Sequence, residues 1–278
     1  EALFDDTNTR VYGWHKGDEH SEGRREEVFP TRYALDPIWI AEKLGGILTE
    51  EGCGSSGVTA GLAQLAEARR ADNVPELAAR LPYFCSGCPH NSSTKVPEGS
   101  RAYAGIGCHY MVQWMDRDTV GFTQMGGEGA NWVGEAPFSK TGHVFQNLGD
   151  GTYNHSGVQA IRFALMAGTT ITYKILFNDA VAMTGGQGND GGLTADQIVR
   201  ELVAMGVKDV RVVYDEKEDV DAGMFPKGVP MSERAELPRV QAELAKVQGV
   251  SALVYIQTCA AEKRRRRKRG QFPDPDKR

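Results

Sequence analysis

Two apolar runs in this chain end on side chains that suit a hard cation. FQNLGDGTYNHSG, residues 145–157, closes its apolar part at Leu148 and continues with Gly149, Asp150 and Gly151. ILFNDA, residues 175–180, ends its apolar part at Phe177 and continues with Asn178. A carboxylate, an amide oxygen, a backbone carbonyl and phosphate oxygens together make the octahedral shell that magnesium demands. Gly149 and Gly151 let the backbone turn tightly and approach an anion closely. A helix opening after Gly151 points its N-terminus at the same place and favours phosphate. Gly-Asp-Gly alone is ordinary turn chemistry; paired with Asn178 at a second strand end, it points to a shared metal and phosphate site.

The cysteines form the second constellation. There are five, Cys53, Cys85, Cys88, Cys108 and Cys259. An odd number, in a chain whose first residues hold no apolar signal core, argues against a disulfide framework and for ligation. YFCSGCPHN sets Cys85 and Cys88 in a C-x-x-C, GIGCH supplies Cys108 and IQTCAAEK supplies Cys259. Four thiolates suit either a tetrahedral zinc or a 4Fe–4S cluster, and residue chemistry leaves both open. Cys53 matches no motif and is read as an incidental thiol.

Elements of an α/β fold must position these groups. Strands are expected at RAYAGIGC (101–108), TVGFTQM (119–125), HVFQNL (143–148), TITYKILF (170–177), DVRVVY (209–214) and ALVYIQ (252–257). Between them, Val158, Ile161, Ala164 and Leu165 share one helical face. Thr194 and Gln197 make a capping box for a helix striped by Ile198, Leu202 and Met205. A further helix starts near Pro238. Such alternation implies a mostly parallel sheet covered on both faces, with ligands at the carboxyl ends of its strands. Residues 1–80 read as a poorly specified lead-in, with helical patterns around Ile38–Ile47, interrupted at Gly45-Gly46, and in the Ala/Leu-rich stretch 59–81. Residues 81–278 read as the functional domain.

The chain has 278 residues, 40% hydrophobic and 25% charged, so it can bury a core. No apolar run approaches the roughly 20 residues that span a bilayer, and a soluble, cytoplasmic protein is expected. The opening without Met and the close in FPDPDKR suggest a piece of a longer polypeptide. The net charge of −5 includes the basic run KRRRRKR, residues 263–269. That run is a solvated face, or a contact for an acidic ferredoxin, for coenzyme A phosphates or for another domain. One short run in an acidic chain is a poor nucleic-acid footprint, so no nucleic-acid partner is expected.

Gly-Asp-Gly followed after 25–30 residues by Asn resembles the thiamin diphosphate motif. Combined with FCSGCPHN, GIGCH, MGGEGANWVGEAPF and QTCAAEKRRRRKRG, it resembles the 2-oxoacid:ferredoxin oxidoreductases, and among them the fused bacterial indolepyruvate type. The resemblance covers residues 81–278 and carries nothing across residues 1–80. It implies a three-layer thiamin diphosphate-binding fold. Asp150, the Asn178 side chain and the Ala180 carbonyl would bind magnesium, with Gly149 and Gly151 at the diphosphate. A loop at residues 184–192 would lie over the diphosphate. Cys85, Cys88, Cys108 and Cys259 would hold a 4Fe–4S cluster. His90 and Glu128 would lie near the cofactor; Asn91 and His109 share those motifs, and loop orientation and helix capping are equally open for all four. His143 and His155 flank the magnesium motif, and a structural role is open for both.

The implied reaction is oxidative decarboxylation of a 2-oxoacid, with indolepyruvate or another aryl pyruvate as substrate, coenzyme A as acyl acceptor and ferredoxin as electron acceptor. The activating Glu is expected from a pyrimidine-binding domain or chain, so the catalytic residue is unassigned here. The full enzyme is expected to be a homo-oligomer. A non-oxidative thiamin diphosphate-dependent decarboxylase and a zinc-stabilised binding module are the rival readings.

Overall fold

The structure is a computed structural model that describes residues 15–16, 26–27, 36–72, 81–189 and 191–274. The expectations for the first residues and for the last four lie outside this set. The chain divides into two compact units, Glu1–Ala79 and Arg80–Arg278.

In the first unit, β1 (His15–Lys16) pairs antiparallel with β2 (Glu26–Glu27). Helix α1 (Pro37–Glu50) follows, with Pro37 in its first turn, where no amide partner is lost. Asp36 caps it, its Oδ1 accepting from the amides of Ile38 (2.8 Å) and Trp39 (3.2 Å). Helix α2 spans Ser56–Asp72. The pair Gly45-Gly46 does not interrupt α1. Gly45 lies against α2: an added Cβ there would lie 2.8 Å from Leu62 Cδ2. Packing across that contact offsets the intrinsic cost of glycine in a helix.

The second unit is built on a seven-stranded sheet in which every pairing is parallel. Its strands are β3 (Ala102–Ala104), β4 (Thr119–Phe122), β5 (Val144–Gly149), β6 (Ile171–Phe177), β7 (Asp209–Tyr214), β8 (Met231–Glu233) and β9 (Val250–Ile256), in the order β4-β3-β5-β6-β9-β7-β8. The helices are α3 (His90–Ser93), α4 (Ala130–Glu135), α5 (Asp150–Thr152), α6 (Val158–Met166), α7 (Ala195–Ala204), α8 (Leu237–Leu244) and α9 (Ala260–Lys268). A 3-10 turn covers Cys108–Trp114, and a π turn at Tyr153–Gly157 joins α5 to α6.

Strand periodicity sorts the side chains onto two faces. Ile171, Tyr173 and Ile175 of β6, with Val144, Leu148, Val210, Val212, Ala252 and Val254, pack against Trp132 of α4, Ile161 of α6 and Ile198 and Leu202 of α7. Leu176, Val213, Leu253 and Tyr255 pack on the other face against Leu237, Val240 and Leu244 of α8. The result is a three-layer α/β fold. β3 is shorter than its apolar run, ending at Ala104, and the edge strand β8 carried no sequence signal. At the centre of the sheet Lys174 is fully buried, its Nζ donating to the Lys95 carbonyl (3.1 Å).

Candidate cofactor and cluster site

β5 and β6 are adjacent and in register, Gly149 opposite Leu176. The residues that follow them therefore leave the sheet side by side. Asp150 opens α5 and is buried. Its Oδ1 accepts from the Gly151 amide (3.0 Å), and its Oδ2 accepts from the amides of Asn178 (3.3 Å) and Asp179 (3.0 Å). Asn178, also buried, turns its Oδ1 to the Ala180 amide (3.1 Å). Asp150, Gly151, Asn178 and Ala180 thus share one small volume. Burial pushes the Asp150 carboxyl up to about 6; the three amide bonds oppose this and the neighbouring Asp179 charge adds to it. A divalent cation there would relieve the buried charge.

The surroundings fit a diphosphate. Gly151 has open space where a side chain would stand. Asn154, in the π turn that begins three residues after Asp150, uses its Oδ1 to accept from the Leu193 amide (3.1 Å), while its Nδ2 is buried without a partner. A buried donor with nothing to donate to is costly, and a phosphate oxygen would satisfy it. π turns inside helices recur at functional sites. Nothing in the sequence pattern singled out Asn154.

His109 and Glu128 approach the same loop. An added Cβ at Gly149 would lie 3.3 Å from His109 Cε1, so the imidazole lies against the start of the Gly-Asp-Gly turn. At Gly105 a Cβ would lie 2.7 Å from His109 Nε2 and 3.3 Å from Glu128 Cγ. His109 Nε2 and Glu128 Oε1 are both buried without partners, whereas Glu128 Oε2 accepts from the Gly126 amide (2.7 Å). Burial raises the Glu128 carboxyl above the usual range. His90 stacks edge-on to His109 at 5.5 Å. Burial lowers His90 to about 3, with His109 contributing, and burial lowers His109 to about 4. Both imidazoles are therefore neutral at pH 7.

His143 and His155 stand elsewhere. His143 precedes β5, at the end opposite Asp150, about 20 Å along the strand; it meets Thr172 Oγ1 at 2.7 Å. His155 is exposed and pairs with its neighbour Ser156 (2.7 Å).

Three segments carry the cysteines, two of them following the strands β3 and β9. The Cys85–Cys88 turn is closed by the Cys88 amide on the Cys85 carbonyl (3.0 Å), and Asn91 Nδ2 donates to the same carbonyl (3.0 Å). Arg117 Nη1 braces the following residues through the carbonyls of His90 (3.3 Å) and Asn91 (3.2 Å) and Thr94 Oγ1 (2.8 Å). Cys108 opens the 3-10 turn, and buried Cys259 follows β9. Burial pushes the Cys88 thiol up to about 12, and Cys108, Cys259 and Cys85 add to the rise. Burial likewise raises Cys108, with Cys259 and Cys85 contributing. The four thiols lie within electrostatic reach of one another, and all are free. Cys53 is exposed in the first unit.

Zinc would need its sulfurs about 3.8 Å apart, given Zn–S bonds near 2.3 Å. Among the described residues no group of three or more His, Cys, Asp or Glu side chains stands where one metal ion could be held. Four thiolates suit either a tetrahedral zinc or a cage of several irons, which spaces its ligands more widely. The Cys259 amide also donates to the Asn178 carbonyl (3.0 Å), so the segments of Cys259 and Asn178 touch.

Residues 1–72 match the family model of the indolepyruvate oxidoreductase domain. Over that stretch the chain is similar to the indolepyruvate oxidoreductases. That match falls on the stretch where the motif resemblance carried nothing across. The indolepyruvate oxidoreductase subunit IorA of Methanothermobacter marburgensis is 24% identical over 161 residues, covering 54% of this chain and 26% of that protein. The chain thus spans about a quarter of that relative's length. A solved 2-oxoglutarate:ferredoxin oxidoreductase from Magnetococcus marinus shares the fold, with a TM-score of 0.50 and 16% identity over 66% of each chain.

Proposed function

We propose that this chain supplies the diphosphate- and magnesium-binding half of a cytoplasmic enzyme that oxidatively decarboxylates a 2-oxoacid. The substrate class is indolepyruvate and other aryl pyruvates, with coenzyme A as acyl acceptor and ferredoxin as electron acceptor. The observation that carries this reading is the meeting of Asp150 with the Asn178–Ala180 turn at the carboxyl ends of two neighbouring parallel strands. In support, the Magnetococcus relative of the same fold was solved with 2-oxoglutarate, coenzyme A and succinyl-CoA bound.

Asp150, Asn178 Oδ1 and the Ala180 carbonyl would hold magnesium. Asn154 Nδ2 would donate to a diphosphate oxygen. Cys85, Cys88, Cys108 and Cys259 would hold a 4Fe–4S cluster. Bound thiamin diphosphate would supply the electron sink for loss of carbon dioxide. The chain's own residues orient that group and keep water from it. His90 and His109 wall the site with neutral rings, and His109 Nε2 is free to donate or accept one hydrogen bond. Glu128 Oε1 offers an acceptor beside it. The Glu that activates the aminopyrimidine would come from a pyrimidine-binding domain, chain or second copy.

Anaerobic purification followed by iron, sulfide, zinc and thiamin determination tests this. About four irons and four sulfides per chain, with thiamin diphosphate retained in the presence of magnesium, are expected. Zinc without iron would remove the electron-transfer half of the proposal. Failure to bind thiamin diphosphate with magnesium present would remove the rest.

A further inference from the structure

Two arginines of the basic run turn inward, onto the segment that follows Asn178. Resting on the thiamin diphosphate reading, we propose that Arg265 and Arg266 are positioning residues: they latch the loop at residues 179–187 over the diphosphate and join it to the cluster cysteine Cys259.

Asp179 lies between two residues assigned to magnesium. Its φ of 54° is a left-handed backbone that non-glycine residues rarely adopt. Its amide is held by Asp150 Oδ2 and its carboxylate by Arg266 (2.5 Å), which Glu262 steadies one helical turn away (3.1 Å). Beyond it the loop closes on itself. The Val181 amide donates to the Gln187 carbonyl (2.8 Å), and the Gly186 amide to the Val181 carbonyl (3.0 Å). At the tip, Arg265 Nη2 donates to the Gly185 carbonyl (2.6 Å) and to the Gly186 carbonyl. Gly186 has a φ of 78°, and an added Cβ there would lie against Arg265 Nη2 and displace it. Both bonds come from the two N–H donors of the one guanidinium nitrogen Nη2.

Both arginines sit on α9, and α9 begins immediately after Cys259. The Cys259 amide holds the Asn178 carbonyl, the residue from which the loop departs. Anything that loosens Cys259 therefore loosens the start of α9 and both arginine contacts. The rest of the run does something different. Lys263 is buried against Glu218 (2.9 Å), while Arg264 and Arg267 line a polar cavity of about 280 Å³ with Ser86, Gly87 and Arg234.

The test compares the anaerobically purified chain with R265A, R265K, R264A and C259S. Hydrogen exchange at residues 181–187 is followed without cofactor, and thiamin diphosphate affinity is measured by calorimetry with magnesium. R265A is expected to speed exchange at the Val181 and Gly186 amides and to weaken affinity about tenfold, the size of one charge-assisted hydrogen bond. R265K should recover part of both, R264A should change neither, and C259S should speed the same exchange. Unchanged exchange in R265A overturns the latch, and unchanged exchange in C259S overturns its tie to the cluster. Faster exchange in R265A with undiminished affinity overturns the placement of the loop over the diphosphate. Absence of thiamin diphosphate binding by the unaltered chain overturns the functional reading instead, while exchange still reports on the latch.

Discussion

Single residues carry charge here in places that oppose it. Asp150 is one; Lys174 is a sharper case, because no carboxylate is bonded to it. Its Nζ has the Lys95 carbonyl and stands 5.7 Å from the Phe145 ring, and burial lowers it to about 7. The folded state therefore favours the neutral amine more than the unfolded chain does. The stability tied to it is fully present above the ordinary lysine value of 10.5 and is lost progressively as pH falls from there to about 7. Lys174→Met should remove this slope and stabilise the chain at pH 7 by about 2 kcal/mol. Each tenfold loss of proton affinity on folding corresponds to about 1.4 kcal/mol, and the lost bond to Lys95 offsets part of the gain. Urea midpoints at pH 7 and pH 9 check it: the two proteins should converge at the higher pH. In the sequence Lys174 interrupts an apolar strand and gives no sign of its environment, because burial of one side chain depends on what covers the sheet there.

Elements bring the site together through register. β5, β6 and β9 are neighbours, with Gly149 opposite Leu176 and Phe177 opposite Ile256. Asp150, Asn178 and Cys259 consequently emerge together at the carboxyl ends of these strands. β3 contributes by stopping early: at Gly105 an added Cβ would lie 2.6 Å from the Asn147 carbonyl and 2.7 Å from His109 Nε2. Gly105→Ala should cost about 1–3 kcal/mol, the usual penalty for overpacking, read as a lowered thermal midpoint. β5, β6, β7 and β9 were legible because β-branched and aromatic runs bounded by polar residues have few alternatives. The end of β3 was not, because Ala-Gly-Ile-Gly continues an apolar pattern while the backbone is already turning around His109. The edge strand β8 was not, because three residues, none of them buried, leave no period to read.

At the scale of the molecule, the two units carry different parts of the case. The second unit holds the Asp150 and cysteine constellations, and residues 1–72 hold the family-model match. The Methanothermobacter relative is about four times longer than the stretch it shares with this chain. The chain alone should turn over an aryl pyruvate with coenzyme A and a ferredoxin at a small fraction of the rate seen once a pyrimidine-binding partner is added. Anaerobic assay of dye or ferredoxin reduction, with and without that partner, checks this; equal rates would place the activating carboxylate within this chain.

By itself the sequence determined the alternation of strands and helices, the parallel α/β class, and the presence of one oxygen-rich and one sulfur-rich constellation. These follow from side-chain periodicity and ligand chemistry, which are local. Only the tertiary structure decided that Asn154 holds a buried donor without a partner, that His143 stands at the far end of its strand, and that the basic run folds back onto the loop after Asn178. Each of those depends on which strands are neighbours and on where a helix lands, and neither is written in the spacing of residues along a chain.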